Sequence, residues 1–184
     1  MAESKFTKMI YEWRVRVCSI ALILVIILSR PTLASLLAGV GICLIGLFIR
    51  IWAAGHLRKE KKLTISGPYQ YTRNPLYLGN FILGIGVVVG SYSWFVLGIF
   101  IFYFLLFYPP VIRKESERMK ELFAEKYEEY KKKVPLFLPS LKPYPCPEKI
   151  KFSWALYNKN KEYRALIGTA VFWIILVAKI LFWA

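Results

Sequence analysis

Residues 74–112 read NPLYLGNFILGIGVVVGSYSWFVLGIFIFYFLLFYPPVI, and this stretch of 39 residues contains no charged side chain. A helix that crosses a bilayer of about 30 Å needs roughly 20 apolar residues, so the stretch is long enough for two such helices. The turn residues Gly90-Ser-Tyr-Ser93 divide it near its middle. The sequence therefore predicts a membrane-spanning hairpin at about 75–90 and 94–112. Pro109 and Pro110 are expected to kink or end its second helix near the interface.

Three further apolar segments extend this pattern on both sides of the hairpin. They predict spans at about 10–29, 31–55 and 165–184, and the hydrophobic fraction of 57% fits an integral membrane protein. Of the 26 Lys and Arg residues, 23 lie in polar segments before residue 17, between 57 and 75, and between 113 and 164. Such asymmetry follows the positive-inside rule. We therefore expect one all-α domain over residues 1–184, with five spans and with the N-terminus and the three basic segments on the cytoplasmic side.

The net charge of +15 does not indicate a nucleic-acid partner, because the cations are concentrated in segments beside the predicted spans. Cys18 and Cys43 lie in apolar runs and Cys146 lies in a proline-rich loop. This spacing predicts neither a disulfide nor a metal site. The N-terminus lacks the pattern of a removable signal peptide, so the first apolar run is expected to remain as a helix.

A polar island, Ser66–Gly79, precedes the hairpin and reads SGPYQYTRNPLYLG. Its Gly67-Pro68 pair predicts a turn, since glycine tolerates a positive φ and proline fixes its own φ. Asn74 is expected to cap the next helix with its side chain, and Pro75 suits the first helical position.

The start of that helix is a candidate binding site for a small molecule. The backbone N–H groups of Leu76 and Tyr77 are expected to point at the loop, where they favour an anionic group. Arg73, Tyr69 and Tyr71 lie within the same few residues. The alternative is an ordinary interfacial loop whose Tyr and Arg side chains anchor at the lipid headgroups.

Residues 113–133 predict an amphipathic helix on the cytoplasmic side. Glu115 is one turn before the apolar stripe of this helix and is expected on the same face, where a carboxylate needs a partner. The five prolines between 135 and 147 predict a rigid extended segment along the membrane surface. A short polar segment is expected to follow it, before the last span. The stripe consists of Met119, Leu122, Phe123, Tyr127 and Tyr130.

Two motifs resemble one family of membrane enzymes. Gly67-Pro-Tyr69 followed by Arg73-Asn-Pro-Leu-Tyr-Leu-Gly79 resembles the GPY…RHPxYxG signature of isoprenylcysteine carboxyl methyltransferases and the related phospholipid N-methyltransferases. Downstream, the segment from Glu115 to Pro139 resembles the family's EExxLxxxFGxxYxxYxxxVP pattern. The resemblance covers residues 56–139.

The resemblance implies an all-α integral membrane fold with a cytoplasmic active site, a short C-terminal catalytic segment before the last span, and a cofactor. Family members bind S-adenosylmethionine (SAM) at the cytoplasmic face and methylate lipid-like acceptors that enter from the bilayer. Glu115, Arg113 and Arg73 become the candidate catalytic residues. The cofactor-binding candidates are His56, Leu63, Thr64, Tyr69, Asn74, Pro75, Leu76, Tyr77 and Glu115.

The chain departs from the family pattern at three positions. Asn74 replaces the family histidine, and Ser116 replaces the second glutamate of the pair. Val111 stands where relatives often place an arginine that faces the acceptor, and the nearest arginine is Arg113. These changes bear on acceptor identity more than on SAM binding.

The acceptor is expected to be a carboxylate, because a carboxylate is nucleophilic at neutral pH whereas an amine must first lose a proton to a base. The resemblance implies that this carboxylate belongs to an isoprenylcysteine-like substrate. The sole histidine is His56, and the other candidate bases are Glu115 and tyrosines. Phospholipid N-methylation is the alternative within the family. A non-catalytic lipid-binding protein and an NADPH-dependent sterol-reductase-like enzyme remain open as functions of other classes.

Overall fold

The computed structural model describes residues 5–59, 61–147 and 150–183, and its regular secondary structure over these residues is entirely helical. This confirms the predicted all-α class. A short 3₁₀ turn, Gly67–Gln70, follows the second helix. The α-helices are α1 (Lys5–Leu28), α2 (Leu33–His56), α3 (Pro75–Ser91), α4 (Trp94–Lys133), α5 (Trp154–Lys159) and α6 (Tyr163–Trp183).

Three helices within the described residues are long and apolar enough to cross a membrane, namely Leu33–His56, Trp94–Lys133 and Tyr163–Phe182. Two shorter apolar helices accompany them, Val17–Leu28 and Pro75–Ser91. At 1.5 Å per residue, the 17 residues of α3 extend over roughly 26 Å, slightly less than the hydrocarbon thickness. The five-span topology therefore stays a prediction.

The ends of α1, α3 and α6 meet at one end of the molecule. The backbone N–H of Arg30, just after α1, donates to the carbonyl of Ser91 at the end of α3 (2.8 Å). Lys179 of α6 donates to the carbonyls of Ile26 (2.7 Å) and Ser29 (2.8 Å). Successive long helices therefore run in alternating directions, and the polar island lies at the opposite end.

Glycines let α2 and α3 pack with their backbones in contact. A Cβ atom on Gly86 would lie 2.5 Å from Cys43 Sγ and 2.7 Å from the carbonyl oxygen of Gly39. Two turns further along, a Cβ atom on Gly79 would lie 2.9 Å from the carbonyl oxygen of Gly46. Only a hydrogen atom fits in place of a side chain at these positions. Small residues in membrane helices allow such a close approach of two backbones.

The predicted turn between the hairpin helices is present. α3 ends at Ser91, Tyr92 adopts the left-handed conformation with φ of 46°, and Ser93 takes the position before α4. The turn residues therefore mark the true boundary between the two helices.

Pro109 and Pro110 do not end the second helix, because α4 continues through both to Lys133. A kink at the two prolines stays a prediction. The two prolines remove only two backbone donors, while ring packing such as that of Phe104 on Phe81 of α3 (4.7 Å) holds the helix in place. The non-helical residue inside α4 is instead Ala124, with φ of 39° and ψ of −116°.

Tyr127, Tyr130 and Val134 form a buried cluster at the end of α4. Met119 and Phe123 pack against it, whereas Leu122 is exposed, so the predicted stripe is correct except at Leu122. Ala124 interrupts the regular helix directly after Phe123, between the two parts of the stripe.

The proline-rich segment runs antiparallel to residues 70–74 rather than only along a membrane surface. Three backbone hydrogen bonds join these two segments. They are Arg73 N to Pro135 O (3.0 Å), Ser140 N to Tyr71 O (2.8 Å) and Tyr144 N to Gln70 O (2.9 Å). These hydrogen bonds hold the polar island against a segment that lies more than 60 residues further along the chain.

The segment around α5 is attached to the end of α2. The backbone N–H of Ser153 donates to the carbonyl of Gly55 (3.0 Å). The side-chain amide of Asn160 donates to the carbonyls of Ala54 (2.9 Å) and Leu57 (3.1 Å). These bonds satisfy carbonyls that the helix end would otherwise leave without partners.

Candidate functional site

Tyr77 and Glu115 meet at the end of the molecule that carries the polar island. The hydroxyl of Tyr77 donates to Glu115 Oε1 at 2.6 Å, and the Tyr77 ring packs edge-on against Tyr108 at 5.5 Å. The structure therefore gives Glu115 the expected partner. The expectation that Glu115 lies within the buried stripe is wrong, because its side chain is exposed one turn before Met119, outside the buried cluster.

Tyr69 of the polar island is buried, with 7% of its surface exposed. Its backbone carbonyl accepts a hydrogen bond from the Tyr130 hydroxyl (2.6 Å). Burial raises the pKa of the Tyr69 hydroxyl, and the carboxylates of Glu115 and Glu162 raise it further. Tyr69 is therefore a neutral hydrogen-bond donor close to two carboxylates.

The side chains of Arg73 and Asn74 point toward α4 and the proline-rich segment. Arg73 Nη1 donates to the Tyr127 hydroxyl at 3.4 Å, and the buried Nε atom of Arg73 has no hydrogen-bond partner among the described residues. The amide of Asn74 donates to the carbonyl of Leu136 at 2.9 Å. The prediction of side-chain capping by Asn74 is wrong, because this distant carbonyl draws the amide away from the helix.

The start of α3 is less open to an anion than expected. Pro75 occupies the first helical turn as predicted. The backbone N–H of Tyr77 donates to the carbonyl of Asn74 at 3.1 Å, so it does not point freely at the loop. The carbonyl of Leu76 accepts a hydrogen bond from Arg50 Nη1 at 3.4 Å.

His56 is a packing partner of the Gly67 turn. It is 5% exposed, and its Nδ1 atom lies 3.0 Å from the Ser66 hydroxyl. Gly67 has the predicted positive φ, 61°, and a Cβ atom there would lie 2.6 Å from the His56 ring. The structure thus gives this candidate residue a defined role in shaping the loop.

The other three candidates lie around the site. Leu63 packs against the buried cluster of α4, and the Thr64 hydroxyl accepts from the backbone N–H of Arg58 at 3.2 Å. Arg113 is exposed and pairs with Glu117 at 3.2 Å. Two residues along an α-helix turn through about 200°, so Arg113 and Glu115 project from opposite sides of α4.

The sequence prediction missed an ion pair between Arg50 of α2 and Glu162, the residue before α6. Arg50 Nη2 lies 2.7 and 2.8 Å from the two carboxylate oxygens, and the side chains are only 12% and 11% exposed. Arg50 Nη1 also contacts Asn80 of α3. The available signal was a single arginine inside an otherwise apolar run, which in a membrane segment indicates a partner.

Of two cavities in the described part of the chain, one is lined by α4 alone and the other borders the polar island. One, of about 270 Å³, is lined by charged and polar side chains of α4, among them Arg113, Ser116 and Lys120. The other, of about 280 Å³, is apolar and includes Trp52 and Leu78 in its wall. Neither cavity is lined by Tyr69, Tyr77 or Glu115.

Comparisons with known proteins identify the central part of the chain. A family model described as phospholipid methyltransferase matches residues 34–126, just over half of the chain. This region includes Arg50, the polar island, the hairpin and Glu115, and it ends before the proline-rich segment and Glu162.

Curated relatives share part of the chain. The cobalt-zinc-cadmium resistance protein CzcN of Cupriavidus metallidurans is 37% identical over 119 residues, 62% of this chain and 52% of that protein. The nickel-cobalt-cadmium resistance protein NccN of Alcaligenes xylosoxydans xylosoxydans is 36% identical over 96 residues, 50% of this chain and 44% of that protein. Protein-S-isoprenylcysteine O-methyltransferase of Saccharomyces cerevisiae is 37% identical over 89 residues, 46% of this chain and 37% of that protein. The chain spans about half the length of the first of these relatives and less of the others. No solved structure matches it.

Proposed function

The chain belongs to the phospholipid methyltransferase family, and on that premise we propose that it is an integral membrane, SAM-dependent methyltransferase that acts on a lipophilic acceptor. The observation that carries the proposal is the hydrogen bond between Tyr77 and Glu115 at 2.6 Å. It brings together the two motifs that resemble the cofactor site of isoprenylcysteine carboxyl methyltransferases, although they are far apart in the sequence.

The side chains around this bond suit the functional groups of SAM. The Glu115 carboxylate can accept hydrogen bonds from ribose hydroxyls or from an ammonium group. Tyr77 and Tyr108 offer aromatic rings to adenine or to a cation. The buried Nε atom of Arg73 has no partner among the described residues and is a donor of the kind that a carboxylate requires.

The proposed reaction requires the protein to align the methyl donor with the acceptor and to exclude water. SAM supplies an electrophilic methyl group on a sulfonium, so no covalent nucleophile of the protein is needed. The rate then depends on how the chain holds donor and acceptor in line and keeps water out. Tyr69 adds a buried, neutral hydroxyl to this part of the molecule.

We propose a carboxylate as the acceptor, in an isoprenylcysteine-like substrate that enters from the bilayer. An amine acceptor would need a base, and His56 is buried against Ser66 and Gly67. A tyrosine with a raised pKa, such as Tyr69, is a poor base near neutral pH. The names of the two yeast relatives, protein-S-isoprenylcysteine O-methyltransferase, also support this choice.

The test combines binding and turnover on the full-length protein. Titration calorimetry in detergent should give a saturable heat with SAM and with its demethylated product, and no binding by folded protein would overturn the proposal. Labelled SAM should then transfer its methyl group to a farnesylated cysteine derivative. A carboxyl methyl ester releases methanol in mild alkali, whereas an N-methylated phospholipid, the alternative product, does not. Binding of NADPH in place of SAM would favour the reductase-like function, and lipid binding without transfer would favour a non-catalytic protein.

We also propose that the site lies on the cytoplasmic side, because the basic segments surround it. Leu141 of the proline-rich segment is 99% exposed, which makes it a suitable position for a cysteine label. A Leu141→Cys variant should react with an impermeant thiol reagent only after the cells are permeabilised. Labelling of the native cysteines in the unsubstituted protein gives the background signal. Equal labelling of intact cells would contradict this orientation.

A further inference from the structure

The Arg50–Glu162 ion pair, with the contacts of Arg50 to α3, links α2, α3 and the segment before α6 close to the start of α3. The two carboxylate oxygens lie 2.7 and 2.8 Å from Arg50 Nη2, a geometry in which one nitrogen is shared by both oxygens. Both side chains are almost completely buried. Two charges removed from water in this way are tolerated only when each satisfies the other, so each side chain strongly restrains the position of its partner.

Arg50 connects this pair to the first turns of α3. Its Nη1 atom donates to the carbonyl of Leu76 at 3.4 Å and to the side-chain oxygen of Asn80. Gly79 provides the space, since a Cβ atom there would lie 2.5 Å from Arg50 Cγ. Leu76 directly precedes Tyr77, so Arg50 holds the turn that presents Tyr77 to Glu115.

Glu162 is itself held by contacts that do not involve Arg50. Its backbone N–H donates to the carbonyl of Tyr157 at 3.4 Å. Two residues earlier, Asn160 donates to the carbonyls of Ala54 and Leu57 at the end of α2. The carboxylate is therefore supplied by a segment with its own attachment, which makes it a fixed point for the guanidinium.

We propose that Glu162 is a positioning residue of the methyl-transfer site, which acts through Arg50 on the first turn of α3 and hence on Tyr77. The proposal rests on the proposed function for its catalytic meaning. Residues 153–162, which lie outside the region matched by the family model, then complete the site from the far end of the chain.

The test compares Glu162→Gln with Glu129→Gln, a control that makes the same chemical change in the exposed Glu129–Lys133 pair. Hydrogen exchange in detergent should become faster at residues 75–80 in Glu162→Gln while residues 87–91 at the other end of α3 keep their protection. Affinity for the demethylated product of SAM should fall about tenfold, by analogy with the residues that orient metal ligands, whose loss costs roughly 10- to 100-fold. Glu129→Gln should change neither quantity.

A conservative variant separates positioning from general destabilisation. Glu162→Asp keeps the charge with a shorter reach and should recover part of both losses. If Glu162→Gln does not fold, Glu162→Asp takes its place in the test. Hydrogen exchange at residues 75–80 should then be faster in Glu162→Asp than in the wild type. Unchanged exchange at residues 75–80 in a folded Glu162 variant, or equal acceleration along the whole of α3, would overturn the proposal. If the wild type does not bind the SAM product, the proposed function fails, while the exchange comparison still decides whether Glu162 holds α3.

Discussion

The hydroxyl of Tyr77 lies 2.6 Å from Glu115 Oε1, and this bond ties the first turn of α3 to the middle of α4. The hairpin between them places the two residues on facing helices at the same end of the molecule. Burial raises the pKa of Tyr69, and the Glu115 carboxylate adds to that effect. Glu115 of the second motif thus interacts with two tyrosines of the first.

Replacing Glu115 by Gln should weaken binding of the demethylated product of SAM by about 10- to 100-fold. The physical reason is the loss of a charged hydrogen-bond acceptor, an interaction that is worth roughly 1.5–3 kcal/mol. Tyr77→Phe should have a smaller effect, because the carboxylate remains. Titration calorimetry measures both. The control is Glu121→Gln, an exposed carboxylate of α4, and equal affinities of Glu115→Gln and wild type would count against the site.

Replacing Gly67 by Ala should lower the melting temperature. The φ of 61° disfavours a side chain, and the new Cβ atom would lie 2.6 Å from the buried ring of His56. We expect a cost of about 1–3 kcal/mol. Gly41→Ala is the matched control, because a Cβ atom there meets nothing within 4 Å. Thermal unfolding in detergent should therefore distinguish the two variants, and equal melting temperatures would contradict a left-handed Gly67 packed against His56.

Replacing Gly86 by Ala should disrupt the packing of α2 against α3. The added Cβ atom would lie 2.5 Å from Cys43 Sγ and 2.7 Å from the backbone of Gly39, which cannot move without separating the helices. Gly98→Ala adds the same methyl group in open space on α4 and should be tolerated. The yield of monodisperse protein and its melting temperature measure the difference. A stable Gly86→Ala variant would show that the helices are less closely packed.

Replacing Lys179 by Met should destabilise the protein without changing affinity for the SAM product. The Lys179 ammonium donates to the carbonyls of Ile26, Ile27 and Ser29 at the end of the molecule opposite the candidate site. Loss of these charged bonds should cost about 2 kcal/mol. Lys151→Met, at an exposed position, is the control. A fall in affinity after Lys179→Met, measured by calorimetry, would contradict the separation of the two ends.

Tyr69 should make the protein less stable in alkali. Its pKa in the folded protein is raised above the ordinary value of 10.0, so its contribution to stability is complete below pH 10. Above that pH the unfolded chain releases the proton while the folded chain retains it, and stability falls. Tyr69→Phe lacks this proton, so its melting temperature should decline less steeply between about pH 9 and pH 11 than that of the wild type. Parallel declines would rule out a raised pKa at this position.

Several features of the fold could be predicted from the sequence because they depend on neighbouring residues. The uncharged stretch and its turn residues predicted the hairpin with its boundary at Ser91–Trp94. The prediction that the Asn74 side chain caps α3 was wrong, because the contact that decides its position is not local. A carbonyl at Leu136, 62 residues away, competes for its amide, and no local pattern indicates that the proline-rich segment returns to this point.

The order of apolar runs, their charged flanks and the two motifs determined the helical class, the family and the position of the candidate site along the chain. These properties follow from how each residue interacts with lipid, water or its nearest neighbours in the helix. Only the tertiary structure decided that Glu162 pairs with Arg50, that Tyr77 meets Glu115 and that Asn74 turns away from its helix. Such contacts depend on which helix faces meet and at what depth, and helix packing sets both through contacts between residues far apart in the sequence.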